Sequence, residues 1–387
     1  MINRKAEKAL LRLAGQFPIL AVTGPRQSGK TTLAKAVFPE KNYISFDDKG
    51  MRELARSNTR DFLAAFPDGA IIDEAQKVPE IFDALKLVVD NNDYIPGKYI
   101  LTGSSQFRLR ENISDSLAGR VGLMKLLPFS VSELKEENIL SDDPYDYVFR
   151  GLYPPLYDKD KHFLPDDWFE NYIDTYLDLD VKDMINPSNV GEFRKLIQLC
   201  AECSGQMVNY DKIAGNIGVS AVTVKKWLSI LEASYIIHFL EPDTNNIGKS
   251  VVKTPKMYFV DPGLMCYLLR LESKEELLLD RHKGAAVETL AVAELLKQRY
   301  NEARKANLTF FRDKKGFEVD TIADWKRTFA IEIKSNSDTE IKLSANTRKY
   351  VAARGGETKG MVFYLGDITC DINNIKYVSW KDWSDIA

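Results

Sequence analysis

A glycine-rich segment near the start of the chain has the residue types that bind a triphosphate. It reads Gly24-Pro25-Arg26-Gln27-Ser28-Gly29-Lys30-Thr31-Thr32, which is a G-x-x-x-x-G-K-T pattern. In this pattern the backbone N–H groups of the loop surround the phosphates, the lysine contacts the β- and γ-phosphates, and the threonine hydroxyl after it helps to hold Mg²⁺. The sequence therefore predicts ATP and Mg²⁺ as cofactors, with Lys30 and Thr31 as the central contacts.

A pair of acidic residues follows further along the chain. Asp73 and Glu74 come directly after the short apolar run 70–72. At the end of a strand behind such a loop, Asp73 is expected to bind Mg²⁺. Glu74 is expected to orient and deprotonate the attacking water.

Two further residues are candidates for assisting hydrolysis. Ser104 follows the apolar residues 99–101, where its hydroxyl would lie beside the γ-phosphate; a turn at a strand end is the alternative. Arg120 precedes the apolar stretch 121–127, at an expected helix end. It could neutralise transition-state charge on a neighbouring subunit's nucleotide, or it could cap carbonyl groups at that helix end.

A second group of chemically interesting residues lies in the C-terminal part. Glu288 shares one stripe of an expected helix with apolar residues, and Asp320 lies in an expected strand. In the next strand, residues 329–334, the alternation of side chains places Glu332 and Lys334 on the same face. Carboxylates grouped in this way could hold a second Mg²⁺ or Mn²⁺ that activates water, with Lys334 supporting the charge. The alternative is a solvated strand face.

A helix–turn–helix pattern lies between these two groups. Residues 210–220 and 221–231 read as a short helix, a Gly-containing turn, a Ser cap and a longer helix, and strand-like runs follow at 235–240 and 251–252. This predicts a winged helix whose basic side chains approach nucleic acid. The candidates are Thr223, Lys225, Lys226, Lys249, Lys253 and Lys256. Eight Lys or Arg against six Asp or Glu between 192 and 256 is a small excess, so a protein-docking or lid role stays open.

The elements that would position these groups define the fold class. Strands at 17–23, 69–74 and 98–103, with a helix after the glycine-rich loop, predict an α/β P-loop core. At ~150 residues per domain, 387 residues correspond to between two and three domains. We expect an ATPase domain at 1–160, a small helical winged-helix domain at 165–256 and a C-terminal α/β domain at 257–387.

Composition excludes several other classes of protein. The chain is 28% charged and has a net charge of −3, so it is not a polycation and any contact with nucleic acid must come from a local patch. No apolar run reaches the length of a membrane span. Four cysteines cannot form a disulfide framework, which predicts a reducing, cytoplasmic setting.

Several of these blocks together resemble a known family. The segments at 24–32, 71–76, 101–105, 117–121 and 127–130 resemble a prokaryotic group of AAA+ ATPases with an uncharacterised C-terminal domain. The block 151–155 resembles the one that closes the ATPase domain of that group. This resemblance implies ATP hydrolysis and a homo-oligomer, which could be a ring. It implies no settled biological role.

The C-terminal residues carry a second resemblance. Glu288, Asp320, Glu332 and Lys334 match, in order, the helix acid, strand acid and E-x-K element of the PD-(D/E)XK nuclease superfamily. This resemblance implies a restriction-endonuclease-like α/β fold, in a domain that could cut DNA or only bind it.

From these patterns we expect an ATP-hydrolysing protein that acts on DNA. Two alternatives stay open. One is an ATP-dependent signalling or defence switch whose C-terminal half binds protein. The other is an ATPase coupled to an active metal-dependent endonuclease.

Overall fold

The structure is a computed structural model that describes residues 2–91, 94–103, 117–177, 181, 184–244, 251–339 and 344–386. Two candidate residues from the sequence, Ser104 and Lys249, lie outside these ranges. None of the helices in the described ranges has the length and apolar composition that a membrane crossing requires.

The N-terminal part is built on a parallel sheet with the strand order β2-β3-β4-β1-β5. Its strands are β1 (Ile19–Thr23), β2 (Asn42–Ser45), β3 (Ala70–Asp73), β4 (Tyr99–Gly103) and β5 (Val121–Lys125). Every residue of the central strands β1, β3 and β4 is buried, as expected when helices cover both faces. Because the strands are parallel, their carboxyl ends meet at one edge of the sheet.

Helices cover both faces of this sheet. They are α1 (Glu7–Ala14), α2 (Lys30–Val37), α3 (Lys49–Ser57), α4 (Thr59–Ala64) and α5 (Glu80–Asn91), with a 3-10 turn at Ala75–Lys77. The next elements, α6 (Val131–Glu136), α7 (Pro144–Arg150) and a 3-10 turn at Pro154–Tyr157, pack instead in the core cluster of the middle and C-terminal parts. Leu10 of α1 and Leu33 of α2 share one apolar cluster with Leu20 of β1. Phe62 and Phe82 pack into a separate cluster with the opposite side of the strands. This mixed α/β arrangement with a parallel sheet fits the predicted P-loop core.

The middle part is mainly helical. It contains α8 (Pro165–Tyr176), a 3-10 turn at Pro187–Asn189, α9 (Val190–Glu202), β6 (Gln206–Met207), α10 (Tyr210–Ile217), α11 (Ala221–Ala233), β7 (Ile237–Pro242) and β8 (Lys256–Phe259). Gly218, with a left-handed φ of 77°, ends α10. Ser220 caps α11 by accepting a hydrogen bond from the Thr223 N–H, so two helices and a turn form where the sequence pattern lies.

The second strand after these helices differs from the prediction. It was expected at residues 251–252, but the antiparallel partner of β7 is β8, with Ile237 opposite Phe259. Val251 makes only an isolated bridge to Asp313. The physical reason is burial: all four residues of β8 are buried, whereas Val251 and Val252 are half-buried.

The C-terminal part completes a large mixed sheet. Its order is β13-β14-β12-β11-β10-β9-β7-β8-β6, and β7 pairs with β9 in parallel. The added strands are β9 (Leu308–Arg312), β10 (Glu318–Asp324), β11 (Thr328–Ile333), β12 (Lys359–Tyr364), β13 (Cys370–Ile372) and β14 (Ile375–Ser379). The helices are α12 (Pro262–Leu268), α13 (Lys274–Leu279), α14 (Lys283–Asn301) and α15 (Ala345–Arg354), with a 3-10 turn at Trp380–Asp382. This continuous sheet brings β8 near the acidic strands β10 and β11.

Candidate active site

The glycine-rich loop joins the carboxyl end of β1 to the first turn of α2. Gln27 and Gly29 have positive φ angles of 59° and 90°, so the loop curls tightly before the helix starts at Lys30. A Cβ atom on Gly24 would lie 2.0 Å from the carbonyl oxygen of Leu126, which leaves room only for glycine. The loop therefore presents backbone N–H groups at a helix N-terminus, which is an arrangement that binds phosphate.

Two side chains inside the loop fit a triphosphate. The Lys30 Nζ donates hydrogen bonds to the carbonyl oxygens of Gly24, at 3.1 Å, and Pro25, at 2.7 Å. The hydroxyl of Ser28 is buried and has no hydrogen-bond partner among the described residues. A buried ammonium group and an unsatisfied hydroxyl beside a glycine-rich turn match the needs of a phosphate oxygen.

Asp73 is the centre of a hydrogen-bond network at the carboxyl end of β3. It accepts hydrogen bonds from Thr31 Oγ1 (3.0 and 3.1 Å to the two carboxylate oxygens), Tyr43 (2.9 Å) and Thr102. Burial, followed by the hydrogen bond to Asp73, raises the pKa of Tyr43 to about 12. Thr31 and Asp73 thus come together as the donor set that Mg²⁺ with ATP requires. Thr102, which the sequence interpretation did not select, orients Asp73.

Glu74 follows Asp73 directly at the carboxyl end of β3. Its backbone has a left-handed φ of 52°, which is uncommon for a residue other than glycine. The side-chain amide of Gln76 donates a hydrogen bond to its carboxylate. Burial raises the pKa of Glu74, and the positive charge of Lys30 partly opposes this rise. A raised pKa brings a carboxylate closer to the range of a general base at neutral pH.

A cavity of about 410 Å³ lies between the loop and residues from a later part of the chain. Its floor includes Lys30, Thr31 and Glu74, together with Arg26 and Gln27. The opposite wall consists of Pro154, Pro155, Asp158, Lys161, Tyr172 and Thr175. Of the residues in this wall, only those in the block 151–155 belong to a segment that the sequence analysis associated with the ATPase domain.

Arg4 is a second residue that the sequence interpretation missed. Its guanidinium group is buried and donates to the Ser28 carbonyl at 2.8 Å and to the Leu127 carbonyl at 2.7 Å. It also pairs with Glu133 at 3.0 Å. Arg4 therefore fixes the glycine-rich loop against the start of α1.

Arg120 lies at the amino ends of the strands, whereas the glycine-rich loop follows the carboxyl end of β1. It precedes β5, whose first residue Val121 pairs with Ile19 at the beginning of β1. Five residues of β1 separate that end from the loop, a span of about 16 Å. Arg120 pairs with Asp90, with Nε and Nη2 at 2.6 and 2.9 Å from the two carboxylate oxygens. The chain therefore does not bring Arg120 to its own cavity.

The C-terminal acids are grouped on the face of the mixed sheet. The register that pairs Thr321 with Ile331 brings Asp320 alongside Glu332, and Asp320 accepts a hydrogen bond from the Ile333 N–H at 2.8 Å. Burial, then the charges of Glu288 and Glu332, hold the pKa of Asp320 well above its usual value. Lys334 lies 2.8 Å from Glu332, whose pKa is also raised by burial despite that partner.

A buried lysine enters this acidic group from β8. Lys256 is 3% exposed, and its Nζ lies 3.2 Å from Glu288 and 2.6 Å from Glu318. Burial alone would lower the pKa of Lys256, but the charges of Glu288, Asp320 and Glu318 outweigh it and raise the pKa. The prediction that Lys256 contacts phosphate is wrong, because its ammonium group faces these acids inside the protein.

The acids of the C-terminal group are not arranged as metal ligands in the described structure. Across the described ranges, no set of three or more His, Cys, Asp or Glu side chains is placed to hold a metal ion. Glu288 instead pairs with Lys256 and accepts a hydrogen bond from Tyr258. One oxygen of Glu332, Oε2, is buried without a hydrogen-bond partner among the described residues.

The candidate nucleic-acid residues of the middle part are on its surface. Lys225 and Lys226 of α11 are exposed, as is Lys253 before β8. The hydroxyl of Thr223 lies 2.8 Å from that of Ser220 and takes part in the cap of α11. The described structure therefore leaves the lysines accessible and gives Thr223 a structural contact.

Comparison with known proteins agrees with the position of the first site. Residues 16–135 match an AAA domain family. Residues 141–275 and 283–383 match two domains of unknown function, DUF8612 and DUF4143. The uncharacterized protein Rv2008c of Mycobacterium tuberculosis is 28% identical over 347 residues, which cover 89% of this chain and 76% of that protein. A Mycobacterium bovis protein, Mb2031c, has the same identity and coverage.

Among solved structures, a Walker-type ATPase of Pyrococcus abyssi is 14% identical with a TM-score of 0.44, covering 69% of this chain and 96% of that one. DnaA from Aquifex aeolicus, bound to AMPPCP, is 17% identical with a TM-score of 0.28, covering 59% and 85%. Similarity at this level carries no functional argument. The family match and the P-loop geometry together show that residues 16–135 form an ATPase-like, nucleotide-binding P-loop domain.

Proposed function

We propose that this protein binds and hydrolyses ATP with Mg²⁺ and uses the hydrolysis to act on DNA. The observation that carries the ATPase part is the convergence of Lys30, Thr31, Asp73 and Glu74 at the carboxyl edge of one parallel sheet. Bound Mg²⁺ would neutralise phosphate charge. The loop N–H groups and Lys30 would hold the phosphates, and Thr31 and Asp73 would hold the metal. Glu74 accepts the proton of the attacking water.

Two substitutions test the hydrolytic assignment. Lys30→Ala is expected to abolish ATP binding, measured with a fluorescent ATP analogue. Among the described residues, Lys30 supplies the only ammonium group in the floor of the cavity. Glu74→Gln is expected to bind the analogue normally and to release no phosphate. Lys49→Ala and Glu80→Gln, which alter exposed residues outside the cavity, are the matched controls. Normal phosphate release by both Lys30→Ala and Glu74→Gln would overturn the proposal.

Arg120 supports a subunit-interface role for the same site. Because it lies at the edge of the sheet far from its own cavity, it would act on a neighbouring copy in a homo-oligomer. Arg120→Ala alone and Glu74→Gln alone are each expected to lose turnover, while a mixture of the two regains part of it. In such a mixture some sites combine an intact Glu74 with an intact Arg120. A mixture as inactive as its components would remove Arg120 from the catalytic set.

Action on DNA is supported by the exposed lysines of the helix–turn–helix segment. Lys225, Lys226 and Lys253 are solvent-exposed, and Thr223 belongs to the same proposed winged-helix surface. A gel shift with duplex, single-stranded and branched DNA at low and moderate salt tests the proposal, since phosphate contacts weaken steeply with salt. A salt-dependent shift is expected. Absence of a shift with every form would favour the signalling or defence switch, whose C-terminal half binds protein.

A metal-dependent endonuclease is the second candidate function. It is favoured by the grouping of Asp320, Glu332 and Lys334 on adjacent strands, with Glu288 on the helix above, and would require a restriction-endonuclease-like fold. Incubation of plasmid DNA with Mg²⁺ or Mn²⁺ tests it. Cleavage that is lost in Lys334→Ala and retained in Lys315→Ala would assign the activity to this group. Intact plasmid in both metals would remove the endonuclease function.

A further inference from the structure

Another cavity, which the glycine-rich loop does not line, lies between α1 and the C-terminal part. Its volume is about 1260 Å³. One wall consists of Lys5 and of Lys8 and Arg12 in α1, and the other combines the end of α14, the β10–β11 turn and the start of β12. We call this cavity the basic groove.

The basic groove concentrates positive charge in an acidic protein. Nine of its lining residues are Lys or Arg and three are Asp or Glu, whereas the whole chain has a net charge of −3. Lys8, Lys326 and Lys359 are exposed, come from three different elements, and form no ion pair with a described carboxylate. Like charges held together repel each other, so this surface is suited to an anionic ligand that neutralises them.

Two of the three acids of the basic groove, Glu302 and Asp324, pair with arginine side chains rather than with Lys8, Lys326 or Lys359. Glu302 lies 3.2 Å from Arg299 and 3.4 Å from Arg304. Asp324 accepts a hydrogen bond from Thr328 at 2.8 Å and lies 3.9 Å from Arg354. The unpaired lysines therefore determine what the groove attracts.

An aromatic ring lies among these cations. Trp325, in the β10–β11 turn, is half-buried and is held by a hydrogen bond from its Nε1 to the Ala306 carbonyl at 2.8 Å. The guanidinium group of Arg299 lies 5.0 Å from the centre of its ring. Basic side chains combined with an aromatic or guanidinium plane are typical of nucleic-acid sites, because one contacts phosphates and the other stacks on bases.

One wall of the basic groove is attached directly to the nucleotide site. Arg4, which precedes α1, donates to the carbonyl of Ser28 in the glycine-rich loop at 2.8 Å. Leu10 and Leu13 of α1 pack in one cluster with Leu33 of α2. A change in the loop on binding ATP would therefore reach the wall that carries Lys8 and Arg12.

We infer that the basic groove binds the phosphodiester backbone of DNA through Lys8, Lys326 and Lys359, separately from the helix–turn–helix surface. This inference rests on the proposed action on DNA and gives that action a binding site. The groove joins the ATPase part to the C-terminal part, so its DNA contacts come from both.

Fluorescence anisotropy with labelled duplex and single-stranded DNA tests this site. The variant K8E/K326E/K359E is expected to bind at least about tenfold more weakly at moderate salt, and its plot of log affinity against log salt should be shallower by about two to three. The matched control K49E/R60E/K195E has the same change in charge at exposed positions outside the groove and is expected to bind like the wild type. Circular dichroism and ATP turnover without DNA verify that each variant is folded.

The possible outcomes are distinguishable. Equal affinity of the groove variant and the matched control would overturn the inference and leave the proposed action on DNA intact, and K225E/K226E/K253E would then be expected to lose binding instead. No binding of either DNA form by the wild type would overturn both. Tighter binding of polyglutamate than of either DNA form by the wild type, lost in K8E/K326E/K359E, would identify an acidic protein segment as the ligand and would also overturn the inference.

Discussion

The hydroxyl of Thr23 lies 2.7 Å from the hydroxyl of Tyr235 inside the protein. Thr23 is the last residue of β1, directly before the glycine-rich loop, and Tyr235 follows α11 with a left-handed φ of 60°. One buried hydrogen bond thus connects the strand that carries the nucleotide loop to the helix–turn–helix part.

This contact predicts a measurable coupling between the two parts. In a double-mutant cycle of Thr23→Val and Tyr235→Phe, the free energy of unfolding should show a coupling of about 1 kcal/mol, because each single change removes the hydrogen bond between these two hydroxyls. Urea unfolding of the four proteins measures it. Effects of the two changes that simply add would mean that the hydrogen bond contributes nothing to stability.

Thr102 should control turnover through Asp73. Thr102→Val removes the hydroxyl that holds the Asp73 carboxylate, and ATP turnover is expected to fall by about 10- to 100-fold, as for other residues that orient a metal ligand. Thr102→Ser keeps the hydroxyl and should retain most of the activity. If both variants turn over ATP at the same rate, the hydrogen bond has no role in orienting Asp73.

The pH dependence of turnover should report Glu74. Because burial raises its pKa, the deprotonated base is lost as pH falls through a value above the usual one for glutamate. Gln76→Leu removes a hydrogen bond that favours the charged carboxylate, so the pKa should rise further and the acid limb of kcat against pH should move to higher pH. Gln206→Leu, remote from the cavity, is the control. An unmoved acid limb in Gln76→Leu would separate Glu74 from the titrating group.

Lys256 should be important for the stability of the C-terminal sheet. Lys256→Met leaves Glu288 and Glu318 without their buried cation, and the free energy of unfolding is expected to fall by about 3–5 kcal/mol. Lys253→Met, at an exposed position, should change it by less than about 0.5 kcal/mol. Adding Glu288→Gln and Glu318→Gln to Lys256→Met should recover part of the loss. No recovery would attribute the loss to packing rather than to charge.

Sequence patterns predicted those elements whose residues are neighbours along the chain. The glycine-rich loop, its preceding strand and its following helix are consecutive, so residues 24–32 and the acids 73–74 could be recognised directly. The parallel sheet then brings the ends of β1, β3 and β4 together, as parallel strands must. The helices around Ser220 and the strand with Glu332 were predicted for the same reason, because caps and alternation are local signals.

Only the tertiary structure decided which distant residues complete these sites. Sheet order brings Thr102 and Tyr43 to Asp73, and the packing of the N-terminal segment brings Arg4 to the nucleotide loop. Neither relationship leaves a pattern in a single sequence. Lys256 looked like a surface lysine of a wing, yet pairing of β8 with β7 buries it among the acids. The basic groove also has no sequence motif, because its cations come from segments more than three hundred residues apart and their charge is concentrated only when the chain folds.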